Sequence, residues 1–147
     1  METFQFGLRA RWDGGRLGSG HLAAGNLDVA VSIPGEMGGP GIGTNPDELL
    51  LAAAANCYMI TLAALLERRL PQPAGFELYS EGVVERDGNR LTYRRIVHRP
   101  VIRLEAANEQ ARDEAIACAL RAEQSCMISR ALKGNVDITV EPSIEHS

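Results

Sequence analysis

The chain has 147 residues, 45% of them hydrophobic and 23% charged, the length and composition of one ordinary globular domain spanning residues 1–147. A domain of that size buries roughly 70% of the surface its unfolded chain exposes, so neither a structural metal nor disulfides are needed for stability. Fifteen Lys and Arg against nineteen Asp and Glu leave a net charge of −4, which offers nucleic acid no electrostatic footprint.

Arg94, Arg95, Arg99 and Arg103 do cluster. No aromatics interleave with them as stacking platforms, so a solvated face is expected rather than a phosphate track. The three cysteines form an odd set that does not suit a disulfide scaffold, and any special use of them is expected to be chemical. Met1-Glu2-Thr3-Phe4-Gln5 has neither a basic stretch nor an apolar stretch of the secretory kind, so the expected compartment is the reducing cytoplasm.

In chain order, Phe4, Phe6, Leu8, Ala10 and Trp12 alternate with polar residues or glycine, the period of a half-buried strand, which ends at Asp13-Gly14-Gly15. A second strand is expected from Leu27 to Ile33, stopping at Pro34, and the two read as a hairpin with a long connection through Gly18 and Gly20. A glycine-rich loop follows to Gly43. Asn45-Pro46-Asp47-Glu48 then signals a helix start, with Asn as the cap, Pro at the first helical position and acids facing the positive end of the helix dipole.

From Leu49 to Leu66 the helix is apolar almost all round, interrupted by Asn56 and Thr61. Eighteen such residues span about 27 Å, at the lower edge of a bilayer crossing. Six are alanine, whose transfer energy is small, and Asn56 lies near the centre. The segment is therefore expected to be the central helix of a globular core, covered by sheet or by a partner subunit, and not a membrane span.

Phe76–Glu85 and Leu91–Leu104 read as strands joined at Asp87-Gly88-Asn89, with Pro100 marking an edge or a bulge. Asn108 begins another helix, whose Ala111, Ala115, Ala119, Ala122 and Cys126 follow one face. Lys133-Gly134 caps it, and Val136–Val140 forms a last strand. The order is that of an α+β domain built around one very apolar helix.

Several chemistries can be set aside. The glycine-rich loop lacks the Lys-Ser or Lys-Thr of a phosphate loop, and Asp47 and Glu48 place negative charge where a phosphate would sit, so no nucleotide cofactor is expected. His21, His98 and His146 are scattered, without metal-ligand spacing. Cys57 is the odd residue. In an apolar helix a cysteine is ordinarily an inert hydrophobe, and burial raises its pKa, so a reactive Cys57 requires an arginine beside it. Cys118 and Cys126 lie roughly 80° apart round one helix, so only one of them is expected to approach Cys57.

Gly43-Thr44-Asn45-Pro46-Asp47-Glu48-Leu49, the alanine-rich helix to Cys57, Cys126 followed by Ser129, and Gly134-Asn135-Val136-Asp137 before a terminal strand resemble the OsmC/Ohr family of thiol-dependent peroxidases. The resemblance runs from about Arg9 to Glu141. It implies an OsmC-like fold, with antiparallel sheets packed around a long apolar central helix, and an intertwined homodimer with two sites at the interface. It also implies that Cys57 is the peroxidatic thiol, that Cys126 resolves it, and that Cys118 is a bystander.

Gly14-Gly15-Arg16 matches the turn that carries the family's arginine. The acidic partner, normally Glu after Asn-Pro, is here Asp47, with Glu48 next in line, and either can hold Arg16. Met127 replaces the usual proline after the second cysteine, leaving the helix break there less clearly signalled, and Tyr58 stands where many members have Phe, as in a side branch. Asp47 and Cys57 are ten residues apart, about 15 Å along one helix, so an acid acting at Cys57 must come from another chain or bend in.

The implied substrate is an alkyl or fatty-acyl hydroperoxide, favoured by an apolar wall of Leu50, Met59 and Ile60. The implied reductant is a dithiol such as a lipoyl group. Two other functions fit the residues: a non-catalytic binding protein for apolar ligands, and a cysteine-dependent hydrolase, for which no histidine has a recognisable context.

Overall fold

The computed structural model describes residues 1–71, 75–105 and 108–146. They fall into two compact units, Met1–Leu49 and Leu50–Ser147.

The first unit is a three-stranded antiparallel meander of β1 (Arg9–Asp13), β2 (Ser19–Ala24) and β3 (Leu27–Val31), in that order. The expected two-strand hairpin is thus corrected: its long connection is itself the middle strand. Ala24 pairs with Leu27 around Gly25-Asn26, and Gly25 takes φ +59° while Asn26 does not turn positive, as in the two-residue hairpin turns that need glycine first. The first strand also starts later than its alternation suggests. Phe4, Phe6 and Leu8 are exposed and lie outside β1, whose pairing with β2 begins only at Arg9 opposite Ala23.

The glycine-rich loop is tied back onto β3. The buried Ser32 hydroxyl donates to the Ile42 carbonyl at 2.8 Å and accepts from its N–H at 2.7 Å. The Thr44 N–H donates to the Ala30 carbonyl at 2.9 Å. Gly43 sits at φ +70°, where a Cβ would lie 2.1 Å from the Ala30 oxygen, so only glycine fits this approach. The loop therefore delivers Asn45 in a fixed place to open α1 (Pro46–Arg69).

In the second unit, β4 (Phe76–Asp87) pairs antiparallel with β5 (Arg90–Leu104), with a register shift between Val83 and Val84. The other side of β5 carries β6 (Asp137–Val140) and then β7 (Ser143–His146), both parallel to it. Pro100 is neither on an edge strand nor at the bulge. Arg103 N–H donates to Gly75 on the β4 side, and Glu141 N–H donates to the His98 carbonyl on the other. Alternation then turns the Pro100 nitrogen toward the gap between Val140 and Ser143, where a missing donor breaks no ladder bond.

α2 (Glu109–Ser125) opens on Asn108, whose side chain accepts from the Ala111 N–H at 2.7 Å, and α3 (Met127–Leu132) follows. Tyr58, Leu62, Leu65 and Leu66 of α1 form one buried cluster with Ile102 and Leu104 of β5 and Ala115, Cys118, Ala119 and Ala122 of α2. Ala54, Ile96 and Val136 centre a second.

By length and composition α1 could cross a bilayer. Here only its Ala54-Tyr58-Leu62-Leu65-Leu66 stripe is buried, while Ala53, Asn56, Ile60, Ala63 and Ala64 trace an exposed stripe. The helix is apolar on both faces, yet a single chain covers one of them.

Candidate functional site

Cys57 lies on α1 between the buried Ala54 and Tyr58 and is itself half-buried. Cys126 is fully buried and joins two helices. Its N–H donates to the Ala122 carbonyl at 3.0 Å, closing α2, and its carbonyl accepts from the Arg130 N–H. Its sulfur accepts from the Ser129 N–H at 3.5 Å, opening α3 as a cap oxygen would. With φ −65° and ψ 126° the chain leaves the helical region for this one residue. The break therefore falls at Cys126 despite Met127 standing in place of proline.

The break brings the two cysteines together. Burial opposes ionisation of the Cys57 thiol. Hydrogen bonds from the Cys126 side chain, the Ile128 and Met127 N–H groups and the Thr61 hydroxyl outweigh it and hold Cys57 below the ordinary thiol range. Cys126 is shifted the other way. Burial raises its pKa, the hydrogen bond it gives to Cys57 raises it further, and the nearby Cys57 charge adds to both against the opposing influence of Ser129. The arrangement favours the thiolate at Cys57 and the protonated thiol at Cys126.

Sequence reasoning asked for an arginine beside Cys57; within this unit, hydrogen-bond donors accomplish the lowering. The Met127 and Ile128 amides could not be read from the sequence, because they depend on where the helix breaks. Thr61 could have been: at i+4 from Cys57 it lies on the same helical face, where its hydroxyl donates to the Cys57 carbonyl at 2.9 Å.

The other three candidate residues belong to the first unit. Arg16 is exposed in the β1–β2 turn, where the Trp12 indole and the Gly18 N–H both donate to the Gly15 carbonyl at 2.9 Å. Glu48 is engaged in the helix cap: it accepts from the Thr44 hydroxyl at 2.8 Å and the Asn45 amide at 3.2 Å, while its own N–H donates to the Asn45 side chain at 2.9 Å. Asp47, beside it in the first turn of α1, is half-buried. Cys118 lies in the core, 3% exposed, lining a small cleft with Leu65, Arg69, Glu114 and Arg121.

Residues 38–141 match the model of the OsmC-like protein family. The chain belongs to that family. Among OsmC-like relatives it is 47% identical over 147 residues to the uncharacterized protein YmaD of Bacillus subtilis, covering 99% of this chain and 97% of that one.

Among solved OsmC-like structures, it resembles the organic hydroperoxide resistance protein OsmC of Legionella pneumophila, with 25% identity and a TM-score of 0.75 over 96% of this chain and 99% of that one. It also resembles the organic hydroperoxide resistance protein OhrB of Bacillus subtilis, with 25% identity and a TM-score of 0.68 over 95% and 98%. The family is thus one that includes hydroperoxide resistance and redox proteins, and the mixed α+β architecture with a long apolar helix is its fold.

Proposed function

We propose that this OsmC-like chain is a cysteine-based peroxidase that reduces organic hydroperoxides to alcohols. The observation that carries the reading is the polarised thiol pair: Cys57 favoured as thiolate by the Cys126 side chain and the Ile128 and Met127 amides, Cys126 favoured as thiol and donating to it.

The Cys57 thiolate attacks the terminal oxygen of ROOH. The O–O bond breaks, the alkoxide leaves and takes a proton, and Cys57 becomes a sulfenic acid. The Cys126 sulfur then attacks the Cys57 sulfur. The S–S bond forms, the S–O bond breaks, and the Cys126 proton leaves with the hydroxyl as water. A dithiol, of which a lipoyl-bearing protein is the candidate, returns the disulfide to two thiols.

An apolar substrate belongs to this reading. Met59 and Ile60 are 38% and 66% exposed, and with Leu50 they offer an alkyl chain a wall that hydrogen peroxide cannot use. The same exposure supports a homodimer: the second face of α1 is apolar and uncovered, and Phe4, Phe6, Leu8 and Trp12 are exposed as well. In this reading the two units form one functional domain, since the family match runs through Leu49 and Leu50, and the protein works in the cytoplasm.

Arg16 acts as the cation near Cys57, held by a carboxylate through paired N–H donors. Asp47 stands directly after Asn45-Pro46, where the family carries its acid, and is assigned that part. The test is consumption of cumene hydroperoxide with a dithiol reductant. Turnover that requires Cys57 supports the reading. Consumption no faster than the uncatalysed rate contradicts it, and would favour a binding protein for apolar ligands.

A further inference from the structure

Ser129 is 2% exposed, and its hydroxyl has no hydrogen-bond partner among the described residues. Buried polar groups are almost always satisfied, so an orphan beside a reacting centre is informative. Its backbone N–H already donates to the Cys126 sulfur at 3.5 Å. The hydroxyl lies close enough to favour the Cys126 thiolate but completes no hydrogen bond of good geometry to the neutral thiol.

Cys126 in the reduced pair points its proton at Cys57, so it presents Ser129 with a weakly accepting neutral sulfur. That changes when Cys57 carries a sulfenic oxygen. As the Cys126 proton moves to the departing hydroxyl, negative charge grows on the Cys126 sulfur, the acceptor the Ser129 hydroxyl lacks. We propose that Ser129 is a further catalytic residue of the resolving step, donating its hydroxyl proton in a hydrogen bond to the Cys126 sulfur as the disulfide forms.

The hydroxyl hydrogen is not transferred. The net reaction remains sulfenic acid plus thiol giving disulfide and water, with the Cys57 sulfur reduced and the Cys126 sulfur oxidised by one unit each. The inference rests on the peroxidase reading, and it divides the site: Thr61, Met127 and Ile128 serve the first sulfur, Ser129 the second.

The experiment is a rapid-mixing comparison of the native chain with Ser129→Ala and Ser129→Thr, using one equivalent of cumene hydroperoxide. Sulfenic acid at Cys57 is trapped with dimedone, and disulfide is followed by mass. Thermal unfolding of each variant is recorded alongside.

Ser129→Ala is expected to form sulfenic acid at the native rate and the disulfide about tenfold more slowly, the factor of ~1.4 kcal/mol in a barrier. Its resolution should shift to higher pH and more Cys57 should be overoxidised, while Ser129→Thr recovers most of the rate. Native resolution in a folded Ser129→Ala, or equal slowing of both steps, overturns the inference alone. Absence of any sulfenic acid and disulfide in the native chain overturns the peroxidase reading and this inference with it.

Discussion

The Cys126 side chain donates a hydrogen bond to the Cys57 sulfur: with the Ile128 and Met127 amides it holds Cys57 below the ordinary thiol range, while burial and then this same bond push Cys126 above it. The two thiols differ in burial and in what donates to them. The account predicts that they also respond differently to substitution.

Cys57→Ser is expected to abolish hydroperoxide consumption. Cys126→Ser should permit one oxidation per chain and then accumulate sulfinic and sulfonic acid at Cys57 under excess peroxide, read as mass gains of two and three oxygens. Cys118→Ser should keep native activity, since that side chain packs in the core with Leu65 and Ala119 rather than at the thiol pair. Retained turnover in Cys126→Ser together with lost turnover in Cys118→Ser would reassign the resolving thiol.

Serine and alanine at position 126 separate donating from resolving. Both remove the second sulfur, but the serine hydroxyl can still donate to Cys57 whereas alanine cannot. Losing one donor disfavours the charged sulfur, so Cys126→Ala should raise the Cys57 pKa relative to Cys126→Ser and slow its alkylation at neutral pH about tenfold. Alkylation by iodoacetamide as a function of pH measures it. Because only the thiolate reacts, the alanine profile should lie to higher pH, and coincident profiles would show that the contact does not tune Cys57.

Asp47 and Glu48 are adjacent acids with different engagements. Asp47→Asn should lower peroxidase kcat/KM at least tenfold, as should Arg16→Ala. Glu48→Gln should leave activity near native while costing under about 1 kcal/mol of stability through the α1 cap, measured by urea unfolding. The reverse order of effects would give the arginine to Glu48.

His98 sets a pH dependence on stability. It is fully buried, stacked on Tyr58 with ring centroids 4.5 Å apart and 2.6 Å from the Ser80 hydroxyl. Burial pushes its pKa down to about 4. The unfolded chain takes up this proton near pH 6.5 and the folded chain does not until about 4, so the unfolded state binds more protons in that window. Stability should therefore be full above about pH 6.5 and fall by about 3 kcal/mol on acidification to about pH 4. His98→Phe, which keeps a ring against Tyr58, should flatten that slope in urea titrations.

Much of the framework was legible because it obeys simple periods. The α1 start at Asn45-Pro46, the Asn108 cap of α2 and the β4–β5 hairpin at Asp87-Gly88-Asn89 each carry a local signal that tertiary contacts then respect. β2 escaped because Ser19–Ala24, with Gly20 and His21 inside it, shows no apolar alternation; its partners on both sides define it. β7 escaped for a related reason, being four residues that pair only with the far end of β5.

Pro100 misled because a proline in a central strand ordinarily breaks a ladder, and only the succession of β6 and β7 along β5 makes room for it. At the site, spacing restricted Cys57 to one of two possible partners, and the family resemblance chose Cys126. The backbone donors that lower the Cys57 pKa remained hidden, since the Met127 and Ile128 amides become available only where α2 stops.

The most direct test of the central claim is the mass and free-thiol count of the native protein before and after one equivalent of an organic hydroperoxide. The account predicts a loss of two hydrogens, a fall from three free thiols to one, and a peptide linking Cys57 to Cys126 with Cys118 still free. Three free thiols and an unchanged mass, or a link through Cys118, would contradict it.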